Sequence, residues 1–261
     1  MKNAFLIIDA QFDFCHVEGA LFVPGAEQDI ARIAALLREH AQQIDHIVVT
    51  LDTHHILDIA HPGFWQDANG THPAPFTRIT GNDVDTGRWV PRFSAEKAKK
   101  YVHDLEADGQ FDHFIWPEHC LIGSRGAALH DTLLDALKDW SHQRNRDYLA
   151  IQKGLYPLSE HFGIFRAQVP DPTIPETQLN SSLIADLARF DTVYLMGEAK
   201  SHCVANSLKQ ILDFAPELVP KLVVVTDCMS DVTGLGYLAD PIYAEARTRS
   251  VRFMESNTVF K

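Results

Sequence analysis

Five short apolar runs each end on a side chain that can do chemistry. Leu6-Ile7-Ile8 closes on Asp9. A second run closes on Asp52, followed by Thr53, His54 and His55. Trp116 leads through Pro117 and Glu118 to His119 and Cys120. A fourth run leads to Lys153 and Gly154, and a fifth passes through Gly197, Glu198 and Ala199 to Cys203. In an open α/β sheet the functional crevice lies beyond the carboxyl ends of the strands. An acid, an acid with imidazoles, a further imidazole, a lysine and a thiol at five such ends are hard to explain by structural need alone.

Each side chain also has a plainer reading. Taken by itself, Cys203 reads equally as a buried cysteine near the start of a helix. A free thiol with a pKa of about 8.5 is only a few per cent thiolate at neutral pH, so a nucleophile here needs a cation or a base beside it. Asp9 alone reads as a turn cap; as a partner of Cys203 it would take the thiol proton and return it to a leaving amine. Asp13 competes with it but lies far enough past the run to organise the turn. Lys153 alone reads as a solvated strand end, whereas beside a thiolate and a carboxylate it would hold both charges in place. Asp52 and His54, two apart on one side of an extended segment, together with His61 and His119, offer one carboxylate and two or three imidazoles. That set suits Zn²⁺, Fe²⁺ or Mn²⁺. With 14 histidines in the chain, His55 and His72 remain rivals for these places.

The elements that must position these groups follow from the periodicity. Ala4–Asp9, His46–Asp52, His113–Trp116, Tyr148–Gln152, Thr192–Gly197, Lys221–Thr226 and Ser250–Met254 are continuous apolar or β-branched runs. This is the pattern of parallel strands covered on both faces. Between them, Asp29–Ala41, Ala127–Trp140 and Cys203–Phe214 carry apolar residues at helical spacing. The alternation predicts an α/β fold with a doubly wound, mostly parallel sheet. From about 62 to 112 the rhythm breaks into a stretch rich in Pro, Gly, Asn, Asp and Thr, with Ala95–Leu105 as a short helix inside it. A stretch of this length inside an α/β domain is expected to be a lid, cap or oligomer contact. Its aromatics Trp65, Trp89 and Phe93 would need a surface to cover them. With no linker or repeat, residues 1–261 read as a single domain with an insertion at about 62–112.

Composition narrows the partners. Hydrophobic residues make up 46% of the 261 residues and charged residues 22%, so the chain is an ordinary globular one. A formal charge of -12 repels phosphate backbones and anionic lipid, which argues against nucleic acid and membrane surfaces as partners. The absence of a signal-like start and the scatter of Cys15, Cys120, Cys203 and Cys228 lead to an expectation of reduced thiols in the cytoplasm. Gly123-Ser124-Arg125-Gly126 lacks the ending of a phosphate loop and reads as a turn.

These residues, in this order and spacing, resemble the nicotinamidase/pyrazinamidase branch of the isochorismatase-like cysteine hydrolases. The resemblance runs through Leu6-Ile7-Ile8-Asp9-Ala10-Gln11-Phe12-Asp13-Phe14-Cys15, Gly19-Ala20-Leu21, Val23-Pro24-Gly25, Asp52-Thr53-His54 and His61. It continues through Trp116-Pro117-Glu118-His119-Cys120, Gly123, Gly126, Lys153-Gly154 and Ser201-His202-Cys203-Val204. It implies a Rossmann-like three-layer α/β/α fold and a triad of Cys203, Asp9 and Lys153. It further implies one divalent transition metal, Zn²⁺ before Fe²⁺ or Mn²⁺, on Asp52, His54, His61 and His119. An oxyanion hole from the backbone N–H groups of Ala199 and Cys203, a cis peptide before Ala199, and ring-binding by Phe14 and Trp116 are implied as well. Glu198 departs from the aliphatic residue expected before that peptide. The implied reaction is hydrolysis of a small-molecule amide, nicotinamide first, through a thioester, by a homo-oligomer. The alternatives are a metal-free hydrolase of the same fold acting on another amide, carbamoyl or ureido substrate, and a non-catalytic binding or assembly protein. Metal analysis combined with ammonia release separates the three.

Overall fold

The computed structural model describes residues 1–109 and 112–261. Six strands make one sheet: β1 (Asn3–Ile8), β2 (His46–Asp52), β3 (Leu149–Lys153), β4 (Thr192–Gly197), β5 (Leu222–Val225) and β6 (Arg252–Met254). Their spatial order is β6-β5-β4-β1-β2-β3, and every pairing is parallel. The order reverses between β1 and β4, so the crevice expected of a doubly wound sheet opens there, between the ends that lead to Asp9 and to Cys203. The central strands β1, β4 and β5 are buried at every residue, as their unbroken apolar runs require.

Helices flank the sheet: α1 (Ala26–Glu39), α2 (Ala95–Asp108), α3 (Asp131–Arg144), α4 (Ala205–Phe214) and α5 (Asp240–Thr248). α1 packs on α3, and α4 on α5. Ile30, Ile33, Ala34 and Leu37 of α1 point into the main core, as their spacing predicts. No helix among the described residues is long and apolar enough to cross a membrane.

The structure departs from the sequence reading in four places. His113–Trp116 adds no strand to the main sheet; only His113–Phe114 is extended, antiparallel to Arg78–Ile79. Its apolar run divides instead between two cores: Ile115 lies in a second, smaller one, and Trp116 in the main one. The fourth run does form a strand, but at the sheet edge, where Leu149 is 41% exposed. The helix expected at Ala127 begins at Asp131, where the His130 ring accepts the Thr132 N–H. The residues before it are drawn under the β1 loop, with Phe12 N–H donating to Ala128 O at 2.8 Å. Finally, Cys203 does not open a helix: it sits inside a π-helical turn, Lys200–Val204, that runs into α4.

The expected insertion, 62–112, includes residues 110 and 111, which lie outside the described residues. The rest of it contributes most of the second, smaller core, which Ile59 and Ile115 complete. Phe64 and Trp65 are fully buried with Ile79, Ala98, Tyr101, Val102 and Leu105, and Trp89 and Phe93 pack against them. Trp65 Nε1–H donates to Ile59 O at 2.7 Å. Trp65 is thus covered within its own chain, by its own segment together with Ile59 and Ile115, and Trp89 and Phe93 are partly covered there.

Candidate active site

β1 ends at Ile8, and Asp9 then turns into the left-handed region at φ 42°. Aspartate tolerates this backbone better than most residues. Thr50, one strand over, holds it there: the Thr50 hydroxyl accepts the Asp9 N–H at 2.9 Å and donates to Asp9 Oδ1 at 2.6 Å. Lys153, the last residue of β3, reaches across β2 with a side chain that is almost entirely buried. Its ammonium lies 2.8 Å from Asp9 Oδ2, 3.0 Å from Asp52 Oδ1 and 3.7 Å from Cys203 Sγ.

Cys203 arrives from the far side of the switch point. Gly197, at φ 112°, lets β4 press against β1, because a Cβ there would meet Ile8 O at 2.1 Å. Glu198 N–H then donates to Ile8 O at 2.8 Å, and the Glu198–Ala199 peptide is cis. The π turn follows, with His202 N–H donating to Ala199 O at 3.0 Å and Val204 N–H to the same oxygen at 3.1 Å. Such turns are frequent at functional sites.

The electrostatics of this trio oppose one simple expectation. A cation was expected to promote the thiolate, but burial pushes the Cys203 thiol well up. Lys153 opposes that rise without overcoming it, and Asp9 and Asp52 add to it. Burial also raises Asp9, against the pull of Lys153. Lys153 itself is raised well above its ordinary value, because Asp52, Asp9 and Cys203 outweigh the penalty of burial. The resting arrangement is therefore a thiol, a carboxylate that accepts protons more readily than usual, and a fixed ammonium.

Beside the trio stands a compact donor cluster. Asp52, His54 and His119 each offer an atom within 4.8 Å of the others. Asp52 Oδ2 lies 3.0 Å from His54 Nε2 and 3.5 Å from His119 Nε2. The other nitrogen of each ring is already engaged: His54 Nδ1 faces Asp58 Oδ2 at 3.1 Å, and His119 Nδ1 lies 2.8 Å from Pro117 O. With an oxygen facing each Nδ1, two Nε2 lone pairs would converge on one carboxylate oxygen. That convergence calls for a cation between them, and it is the carboxylate–imidazole support typical of metal sites. Without a metal the need is met by protonation: burial opposes the charge on His54, yet Asp52 and Asp58 raise its pKa well above the ordinary value. Burial raises Asp52 in turn, but His54 and Lys153 more than offset it and hold the carboxyl well below its usual range. His61 stands at the edge of the cluster, its Nε2 3.4 Å from His119 Nδ1 and its ring 5.0 Å from that of His54. Burial, with His119 and His54 nearby, lowers it to about 2. His119 does not come from a main-sheet strand end. A parallel bridge between His54 and Leu121 brings it in, through His54 N–H to Cys120 O at 3.0 Å and Ile122 N–H to His54 O at 3.1 Å.

A narrow pocket joins the two groups. Phe14, Leu21, Trp116, Phe162, His202 and Val232 form its walls, and Asp52, His119, Glu160, Ala199 and Cys203 contribute to its lining. All of the expected residues except Asp9, Lys153, His54 and His61 touch this space; of those four, Lys153 contacts Cys203, Asp9 is paired with Lys153, His54 contacts Asp52, and His61 contacts His119. Asp13 is excluded from the trio: its carboxylate accepts Ala20 N–H at 3.0 Å and Cys120 N–H at 2.7 Å, so it does organise the turn.

Several residues in the site went unread in the sequence. Gln11 ties β1 to β2 by accepting Asp52 N–H at 2.7 Å and donating to Asp52 O at 2.8 Å. Glu160 accepts Trp116 Nε1–H at 3.0 Å, and burial pushes its carboxyl up to about 8. Of these, only Gln11 carried a signal, as part of the Asp9-Ala10-Gln11 run.

No family model matches the chain. The nicotinamidase of Saccharomyces cerevisiae is 22% identical over 250 residues, covering 96% of this chain and 98% of its own. The solved yeast enzyme superposes with a TM-score of 0.66 over 97% of this chain and 99% of its own, at 18% identity. A nicotinamidase/pyrazinamidase of Acinetobacter gives 0.66 over 99% and 98%, at 20% identity. The pyrazinamidase of Pyrococcus horikoshii, solved in complex with zinc, gives 0.58 over 98% and 99%, at 17% identity. Over nearly its whole length the chain has the fold of these proteins, and the family it resembles is the nicotinamidase/pyrazinamidase branch of the isochorismatase-like hydrolases.

Proposed function

We propose that the protein is a metal-dependent cysteine amidohydrolase that converts nicotinamide and water to nicotinate and ammonia. The observation that carries this reading is the buried Lys153 ammonium, 2.8 Å from Asp9 and 3.7 Å from Cys203, whose side chain lines an aromatic-walled pocket. Relatives named as nicotinamidases along the full chain length support the same substrate class.

In this reading Phe14 and Trp116 hold the pyridine ring. Asp9 accepts the thiol proton as Cys203 Sγ attacks the carboxamide carbon. The resulting oxyanion is received by the backbone N–H groups of Ala199 and Cys203; one such donor is worth about 3–4 kcal/mol in comparable sites. Asp9 then protonates the departing ammonia. A water, deprotonated by Asp9, attacks the thioester and releases nicotinate, and the proton returns to Sγ. Lys153 stays charged throughout and keeps Asp9 and Cys203 in register. Asp52, His54 and His119, with His61 at their edge, would hold a divalent transition metal, Zn²⁺ before Fe²⁺ or Mn²⁺. When bound, it would supply Lewis acidity at the pocket wall.

We further read residues 1–261 as one domain carrying 62–112 as an insertion, in a homo-oligomer. The four free thiols suit a reducing compartment, so we assign the protein to the cytoplasm. The test is ammonia release from nicotinamide by purified, zinc-loaded protein, with and without a chelator. Turnover that the chelator abolishes and zinc restores supports the assignment. A zinc-loaded protein that releases no ammonia from nicotinamide overturns it.

A further inference from the structure

Phe76 lies within the insertion, in a conformation that packing alone does not explain. Its backbone sits in the left-handed region at φ 67°. Thr77 N–H donates to Ala74 O at 3.1 Å, which closes a turn over Ala74-Pro75-Phe76-Thr77. Proline in the second place and a positive φ in the third make this a type II turn, where glycine or asparagine is the ordinary third residue. A bulky aromatic there is strained. Its side chain is also 51% exposed, so burial does not offset the strain. A lone exposed apolar residue needs no explanation; one held in a strained backbone does.

The Phe76 ring rests on Trp116. The two ring centroids are 5.9 Å apart with the planes at 87°, an edge-to-face pair. The backbone delivers this contact. Phe76 N–H donates to the carbonyl of Ile115, the residue before Trp116, and Ile115 N–H donates to Thr77 O at 2.9 Å. Trp116 is buried and forms one wall of the pocket. Its other neighbours hold it at different points. His202, next to Cys203, meets it edge to face at 5.1 Å, and Phe114 is tilted against it at 6.1 Å. Its Nε1–H donates to Glu160 Oε1 at 3.0 Å. A single hydrogen bond fixes one edge of an indole but not its plane; the plane is set by the rings packed around it.

We propose that Phe76 is a positioning residue that fixes the plane of Trp116 and so prepares the pocket wall for a flat heteroaromatic ring. This rests on the amidohydrolase reading above, in which Trp116 holds the pyridine ring. It gives the 62–112 segment a part in ring binding, although none of its described residues lines the pocket. A wall already in its bound orientation needs less ordering when the ring arrives, so the benefit falls on binding. The ring stays against Trp116 from substrate through to nicotinate, so ground state, transition state and product gain alike. Phe76 therefore acts on KM and on product affinity and leaves kcat unchanged.

The test compares Phe76→Gly, Phe76→Asn and Phe76→Tyr with wild type. Glycine and asparagine suit the turn and remove the ring, whereas tyrosine keeps it. Both ring-less variants should raise KM for nicotinamide and Kd for nicotinate about five-fold, with kcat within about two-fold. They should unfold in urea no earlier than wild type, because the turn loses its strain. Phe76→Tyr should match wild type in KM and Kd. A ring that only supports the fold predicts the opposite pattern, lower stability with KM unchanged. A second readout follows Trp116 directly. The chain has four tryptophans, so a fluorotryptophan label gives four fluorine NMR signals, and Trp116→Phe identifies the one that belongs to Trp116. Phe76→Gly should shift or broaden that signal and leave those of Trp65, Trp89 and Trp140 in place. Nicotinate affinity within about two-fold of wild type in both ring-less variants overturns the proposal. So does a Trp116 signal that does not move, or one that moves no more than those of Trp65 and Trp89. A wild type that releases no ammonia from nicotinamide overturns the amidohydrolase reading instead, and the fluorine signals then still decide whether Phe76 positions Trp116.

Discussion

Asp52 and Lys153 are bonded at 3.0 Å, and through this contact one carboxylate serves two clusters. Its Oδ1 holds the lysine of the Cys203–Asp9 trio, while its Oδ2 faces His54 and His119. The candidate metal cluster and the candidate reaction centre are therefore a single electrostatic unit.

That unit predicts how metal and activity respond together. Purified protein should hold close to one transition-metal ion per chain, and His54→Ala combined with His119→Ala should remove it, as read by elemental analysis. Asp58→Asn should act more gently. Asp58 touches no candidate metal position but faces His54 Nδ1 at 3.1 Å and accepts the Ala60 N–H at 3.0 Å. Loss of such support typically weakens metal affinity about 10–100-fold, measurable by competition with a chelating dye. Unchanged affinity would exclude Asp58 from that role.

Cys203→Ala should reduce ammonia release to below about a thousandth of wild type while nicotinate still binds, since the thiol makes a bond rather than supporting the fold. Cys120→Ala is the matched control. Cys120 is also buried but is tied to Asp13 through its N–H and does not line the pocket, and the variant should keep most activity. Activity above a tenth of wild type in Cys203→Ala would remove it as nucleophile.

Lys153→Met should cost stability as well as turnover. The side chain is 1% exposed and is the cation between two buried carboxylates. Removing one partner of a buried ion pair typically costs about 3–5 kcal/mol, because the remaining charge is left without compensation. Urea unfolding of metal-free protein should show it, and an unchanged midpoint would contradict the buried triad of charges.

The pH profile should carry the mark of Asp9. Burial raises its pKa above the ordinary 3.8, and the Thr50 hydroxyl lowers it by donating to the charged form. As pH falls through the raised value, Asp9 takes up a proton and can no longer act as base. The acid limb of kcat/KM should thus lie above the usual carboxylate range. Thr50→Val removes the donor and should move that limb to still higher pH. A limb that stays in place or moves down would separate Asp9 from the profile.

Much of this site was legible because the sheet makes it so. Asp9, Asp52 and Lys153 stand at the ends of runs whose apolar character fixes them as parallel strands, and Cys203 follows the one strand end that needs Gly197 to pack. His119 was legible as a residue but not in its setting, since its segment is held by a bridge to His54 rather than by the sheet. Thr50 reads as any β-branched strand residue; only its hydrogen bonds to Asp9, across from the end of β1, give it a role. Glu160 and Phe162 come from a stretch without periodicity, where no spacing rule connects them to Trp116. The aromatics at 65, 89 and 93 gave no sign of the core they share with Ile59 and Ile115, because nothing local tells a residue that covers another surface from one that helps to build a core.

The strand order has a mechanical consequence. Asp9, Asp52 and Ala199 hang from strands at the middle of the sheet, whose amides open only when the whole sheet opens. Glu160 and Phe162, on the facing wall, belong to residues 154–174, which contain no helix or strand. The pocket thus has one stiff side, which carries Cys203 and Ala199, and one pliant side, which carries Glu160 and Phe162. Hydrogen exchange along 154–174 should outpace that in β1 and β4. Changes in which ring fits should then come from substitutions on the pliant side, leaving the geometry of bond cleavage as it is.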